Sequence, residues 1–198
     1  LDEQVQQLEA LAAIETDRPE RDVALGLAYA RIGRTDMAVL ALGRAAEEHP
    51  EQPLVYTALG RVWLDIARTT NDRIALSKSL GALQSIPMAA ASSEALTLLA
   101  RALLLAGEIE SAVAALELAT ERFPLDPSAF AELADLAAQE GDTLRARQLL
   151  IAHDALTANV PIGQRVARLT RIAELSLEHG FDQFFELAAH HQHARKVQ

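Results

Sequence analysis

The sequence contains no cysteine. Disulfide scaffolds, thiolate nucleophiles and cysteine metal sites are therefore excluded, while the compartment stays open. Only 4% of the 198 residues are aromatic, and lysine occurs only at Lys78 and Lys196. Lys and Arg together number 18 against 28 Asp and Glu, a formal net charge of −10. A nucleic-acid backbone calls for clustered Lys and Arg, so no nucleic acid is expected as a partner. Anionic membrane surfaces are disfavoured for the same reason. No apolar run approaches the roughly 20 residues of a membrane span, so no direct membrane insertion is expected. A phosphate-binding loop, a serine elbow and HExxH are all missing. Asp and Glu fall instead at prospective helix surfaces and caps, where they are solvated and complement the helix dipole. The reading is of a non-enzyme with no cofactor. Leucine at position 1 reads as the start of a processed product or an excised fragment.

What is present is alanine and leucine within an apolar half of the chain. This composition favours helix over sheet. The length suffices for one sizeable core or one elongated array. In "LGLAYARIG", residues 25–33, a glycine stands inside an apolar helical stretch. Glycine there costs about 1 kcal/mol relative to alanine, so Gly26 needs a reason, and in a repeat the reason recurs.

It does recur. The template Leu25, Gly26, Tyr29, Gly33, Ala38, Leu42, Ala45 and Pro50 returns as Leu59, Gly60, Trp63, Ala75, Ala82 and Pro87. It returns again as Leu99, Ala100, Leu103, Gly107, Ala112, Leu116, Ala119 and Pro124, then as Leu133, Ala134, Ala137, Gly141, Ala146 and Leu150. The period is 34 residues, except that the second unit has twelve residues from Trp63 to Ala75 where the others have nine. Positions 22, 25, 26 and 29 are spaced as one helical face, and Ala38, Leu42 and Ala45 continue it on the next helix. Gly26, Gly60, Ala100 and Ala134 then let the paired helix approach closely. Gly33, Gly107 and Gly141 follow apolar helices and precede "GRTD", "GEIE" and "GDTL". They read as left-handed C′ glycines, with Thr35, Glu108 or Asp142 opening the next helix. "HPEQP" and "FPLDP" end one unit and start the next, the second proline of each suiting a first helical turn. In the second unit the first helix is predicted to run about one turn further and break at "TTND", capped by Asn71 or Asp72.

This pattern resembles the tetratricopeptide repeat over residues 19 to about 160. The resemblance implies an all-α, right-handed superhelical solenoid of antiparallel helix pairs, with about four repeat units and capping helices. The boundaries are 1–18 for an N-terminal cap or upstream remnant, with Val5, Leu8 and Ala12 on one face. Units follow at 19–52, 53–89, 93–126 and 127–160. A degenerate helix pair closes the chain over 161–198, around Gly180.

In that family the first helix of each unit lines a concave groove that holds partner peptides or helices. The resemblance places Val23, Ala24, Leu27, Ala30 and Arg31 there, then Thr57, Ala58, Arg61, Leu64 and Asp65. From the third unit come Thr97, Leu98, Arg101, Leu104 and Leu105, and from the fourth Ala131, Glu132, Asp135, Ala138 and Gln139. Val23 and Leu27 stand where the subgroup that clamps chaperone C-termini carries Lys and Asn, so that clamp is absent. The expected partner is another protein, offering a peptide or helix with apolar anchors and with acidic residues for Arg61 and Arg101. The competing account gives these arginines carboxylate partners in their own chain.

Other readings are weaker. His190, His191 and His193 follow His179, but no carboxylate or cysteine completes structural-metal spacing, so no metal is expected. Phe181, Phe184 and Phe185 would cover the core of a terminal unit, or form a second apolar contact, including self-association through terminal helices. A docking domain of a larger enzyme or regulator, or a bacterial exopolysaccharide-export or glycan-binding module, are the alternative functions. The latter would call for groove aromatics, whereas Tyr29 and Trp63 lie on the packing face. Arginine-rich, lysine-poor usage suggests a GC-rich bacterial source, with a soluble chain in cytoplasm or periplasm.

Overall fold

A computed structural model describes residues 5–7, 9–10, 18–161, 163 and 165–178. Leu8, Ala12, Phe181, Phe184, Phe185 and the histidines at 179, 190, 191 and 193 lie outside these. All regular structure among the described residues is helical. Besides the helical stretches at 5–7, 9–10 and 165–178, the described residues form, in order, α1 (Pro19–Arg31), α2 (Thr35–Glu48), α3 (Pro53–Thr70), α4 (Arg73–Gln84), α5 (Ser93–Ala106), α6 (Ile109–Glu121), α7 (Pro127–Gln139) and α8 (Thr143–Leu156). The chain divides into two compact units, Leu1–Leu125 and Asp126–Gln198.

The first unit holds three helix pairs, α1/α2, α3/α4 and α5/α6. The template residues form its core: Ala38, Leu42, Ala75, Ala100, Ala112, Leu116 and Ala119 are all fully buried. Gly26 earns its place by contact. A Cβ built on it would stand 2.5 Å from Leu42 Cγ and 2.7 Å from Cδ2. Gly60 meets Leu83 at the same two distances. In the second pair Ser79 occupies the place that Leu42 has in the first, and its buried hydroxyl donates to the Gly60 carbonyl at 2.9 Å. The leucine that fills the glycine notch there comes one turn later.

The turns follow the sequence reading with one refinement. Gly33, Gly107 and Gly141 have φ of +80°, +86° and +84°. L side chains avoid this left-handed region, which glycine enters freely. Of the three predicted helix openers, only Asp142 caps through its side chain, accepting from the Arg145 N–H at 3.0 Å. Thr35 is instead the first helical residue, and Glu108 occupies the cap position without a side-chain bond. Helix α3 runs 18 residues where α1, α5 and α7 run 13 or 14. Asn71 ends it in the left-handed region at φ +54°, and the Asp72 carboxylate accepts from Ile74 N–H at 2.8 Å to start α4.

Residues 5–7 and 9–10 are helical, and Val5 is buried in the core beside Val23 and Tyr29. The buried Tyr29 hydroxyl donates to the Glu9 carboxylate. That bond, with burial second, raises the tyrosine pKa above its ordinary value. The Arg34 guanidinium lies 5.2 Å from the centre of the Tyr29 ring.

In the second unit α7 and α8 pair through Ala137 and Ala146. His153 Nδ1–H donates to the Pro127 carbonyl at 2.8 Å. Helical residues 165–178 bring Leu175, 1% exposed, onto the same cluster. Asp154 fastens that helix to α8. It accepts from Arg165 Nε at 3.2 Å and Nη2 at 2.8 Å, and from Arg168 Nη1 at 3.1 Å. The Arg165 hydrogen bonds, aided by both positive charges, hold the Asp154 carboxyl below its ordinary value.

Substitutions at the glycines and at Asp154 probe this packing. Gly26→Ala should destabilise by about 1 kcal/mol in urea unfolding, because overpacking costs about 1–3 kcal/mol and exceeds the helix-propensity gain of about 1 kcal/mol. Gly81→Ala, whose methyl would meet nothing within 4 Å, should stabilise by about 0.5–1 kcal/mol. For Asp154, a depressed folded pKa means stability is present above the ordinary value of 3.8 and is lost as pH falls through the folded pKa. Urea midpoints should show Asp154→Asn less stable than wild type at pH 7, with the gap closing in acid below 3.8.

Candidate functional site

Packing within the first unit decides which face is concave. The first helices of successive pairs touch, α1 against α3 and α3 against α5. The second helices do not: α2 is separate from α4, and α4 from α6. Each of α2 and α4 instead wedges between its own partner and the first helix of the next pair. Helices that meet on one side and part on the other curve the layer toward the side where they meet. The α1–α3–α5 face is therefore the inner one.

Burial then sorts the residues that sequence placed on it. Leu64, Leu98 and Val23 are 1%, 4% and 5% exposed. Leu64 and Leu98 belong to one core cluster with Leu83 and Ala102, and Val23 to another. These three are the floor beneath the face rather than anchors upon it, because the close approach of neighbouring first helices covers them. Leu27 is half-buried, whereas Arg31, Asp65 and Leu105 are exposed. Glu132, half-buried, and Asp135, exposed, lie on α7 of the second unit.

The arginines are corrected in one respect. Arg61 Nη2 donates to Glu94 on the neighbouring first helix, an ion pair between side chains 40% and 50% exposed. Arg61 thus has the carboxylate partner in its own chain that the competing account gave it, while its guanidinium keeps further N–H donors. Glu94 lies 33 residues from Arg61, a spacing at which nothing local in the sequence announces the contact. Arg101 is half-buried.

Sequence reading gave no role to the longer second unit. The extra turn of α3 bounds a cleft of about 450 Å³ whose walls include Ala67, Asn71, Asp72, Leu76, Leu80 and Leu105. Its apolar part is leucine and alanine and its mouth carries the Asn71–Asp72 break. The signal was the three-residue excess between Trp63 and Ala75. The two aromatics that a glycan site would use are engaged elsewhere: Tyr29 is buried, and the Lys78 ammonium sits 4.2 Å from the centre of the Trp63 ring. No helix among the described residues is long and apolar enough to cross a membrane.

Known proteins share this geometry. The sequence profile of the tetratricopeptide repeat matches residues 93–136. Among solved structures, TTC0263, a thermophilic repeat protein of Thermus thermophilus, aligns at TM-score 0.70 and 18% identity, covering 89% of this chain and 90% of its own. MamA of Desulfovibrio magneticus RS-1 aligns at 0.60 and 22%, covering 79% and 85%. The Cut9 and Hcn1 hetero-tetramer of the APC/C aligns at 0.67 and 12%, covering 88% of this chain and 33% of that one. A comparison with curated proteins gives no match. At these identities the likeness is one of fold.

The Arg61–Glu94 pair is exposed enough for water and salt to screen it, which limits it to about 1 kcal/mol or less. Glu94→Gln should therefore shift the urea midpoint by no more than that at low ionic strength, and the shift should vanish in about 1 M salt.

Proposed function

Since this chain carries tetratricopeptide repeats, we propose that it is a non-catalytic scaffold that holds a segment of another protein on the inner face of its first unit. The observation that carries the reading is the packing asymmetry: α1, α3 and α5 meet on their inner side while α2, α4 and α6 stand apart. The concave surface lies on the α1–α3–α5 side. It offers Leu27 and Leu105 as apolar contacts and Arg31 and Asp65 as charges. A peptide or short helix with one or two apolar anchors and mixed charge fits this surface. The fold is generally a non-catalytic one, and its solved relatives include the Cut9 and Hcn1 assembly of two different proteins.

The cleft shares Leu105 with this surface. An apolar side chain of the bound segment that follows Leu105 off α5 would enter between Leu76 and Leu80.

The test is affinity capture from the source organism's lysate with the wild-type chain and an Arg31→Glu/Leu105→Glu variant shown by circular dichroism to be folded. Both substituted side chains are exposed, so the variant leaves the core and the Arg61–Glu94 pair intact. A protein retained by wild type and lost by the variant is the expected result. Equal retention moves the contact off this face. Retention of nothing by either overturns the scaffold reading.

A further inference from the structure

At the turn from α2 into the next pair, two carboxylates and an imidazole converge from separate elements. Asp22 stands in the first turn of α1, Glu48 is the last residue of α2, and His49 follows as its C-cap. Each offers one ligand atom, and these atoms all lie within 4.8 Å of one another. Both stretches of backbone are fixed: Asp22 N–H bonds the Arg18 carbonyl at 3.3 Å and His49 N–H the Ala45 carbonyl at 2.9 Å. Asp22 and Glu48 also line a cleft of about 270 Å³ between α1 and α2.

A second observation distinguishes this trio from an ordinary acidic surface. The Nε2 atom of His49 is shielded from solvent and has no hydrogen-bond partner. Burying a polar nitrogen without a partner is costly. A metal ion satisfies an imidazole nitrogen directly, and two carboxylates beside it supply the charge that such an ion requires.

We propose that Asp22, Glu48 and His49 bind a divalent transition-metal ion, with zinc the best-suited probe. One nitrogen and two oxygens leave a fourth position for water; zinc takes both kinds of donor, although its open sites more often carry two or three nitrogen or sulfur ligands. Bonds of about 2.0–2.2 Å at tetrahedral angles set donor atoms about 3.4 Å apart. Donor pairs up to 4.8 Å apart therefore close by as much as about 1.4 Å on binding, and Glu48, exposed at the helix end, is the side chain freest to move. Two cations oppose the ion. Arg21 lies 4.0 Å from Asp22, at the limit of an ion pair, and Arg44 lines the cleft. Affinity is accordingly below that of a closed structural zinc site. The ion would join α1 to the end of α2, so it acts as a staple on the first repeat.

The experiment is calorimetric titration of the full chain with zinc chloride alone, with reversal by EDTA. The variants are His49→Gln, Asp22→Asn, and a third in which His179, His190, His191 and His193 are all Gln. Wild type and the four-histidine variant should share one site, and His49→Gln or Asp22→Asn should weaken it. Loss of an outer-shell partner already costs about tenfold to hundredfold, and a direct ligand should cost at least as much. Thermal unfolding read by circular dichroism should rise with zinc in wild type and stay unchanged in His49→Gln, which also confirms that this variant folds. Zinc uptake that survives His49→Gln and Asp22→Asn, or disappears only with the four histidines, overturns the proposal. So does an absence of uptake by wild type.

Discussion

The structure depends on one contact made twice, a leucine of the second helix set into a notch where the first helix has no side chain. Leu42 against Gly26 and Leu83 against Gly60 bring two helix backbones closer than any Cβ would permit. Dispersion and burial accumulate over the many short contacts that this approach allows. The helix-propensity cost of each glycine is small beside them. With the first two hairpins fixed in this way, the second helix of each can wedge against the first helix of the next pair. The order of the first unit is thus inherited from its hairpins.

Much of this was legible because it is periodic. A residue recurring every 34 positions marks a structural role repeated in each unit, and the left-handed glycines, the first-turn prolines and the longer α3 all follow from local chemistry. The Asn71–Asp72 break was legible for the same reason, since asparagine tolerates the left-handed region and aspartate caps a helix. Substitution within the repeat was harder to see. Ser79 breaks the leucine position, and nothing nearby shows that Leu83 takes over its packing.

The candidate surface was less legible than the fold. Positions one step round a helix from the packing stripe are exposed or buried according to how closely the neighbouring helix lies, and that distance is a tertiary quantity. Val23, Leu64 and Leu98 were therefore assigned to a face that covers them. Arg61 was left between a ligand and a carboxylate of its own chain, and Glu94 in the next repeat is that carboxylate. The same limitation concealed Asp22 from Glu48 and His49, which are separated by a whole hairpin in sequence and by one side-chain length in space.

The separation of α2, α4 and α6 has a mechanical meaning. A layer of rods in contact along its inner side and parted along its outer side resists bending unequally in the two directions. Tightening the curve compresses first helices that already touch, whereas flattening it brings together second helices that do not. The first unit should behave as a leaf spring with a stop on one side. It can flatten more readily than it can clench beyond its resting curvature, so a segment held on the proposed face would have to meet a minimum width.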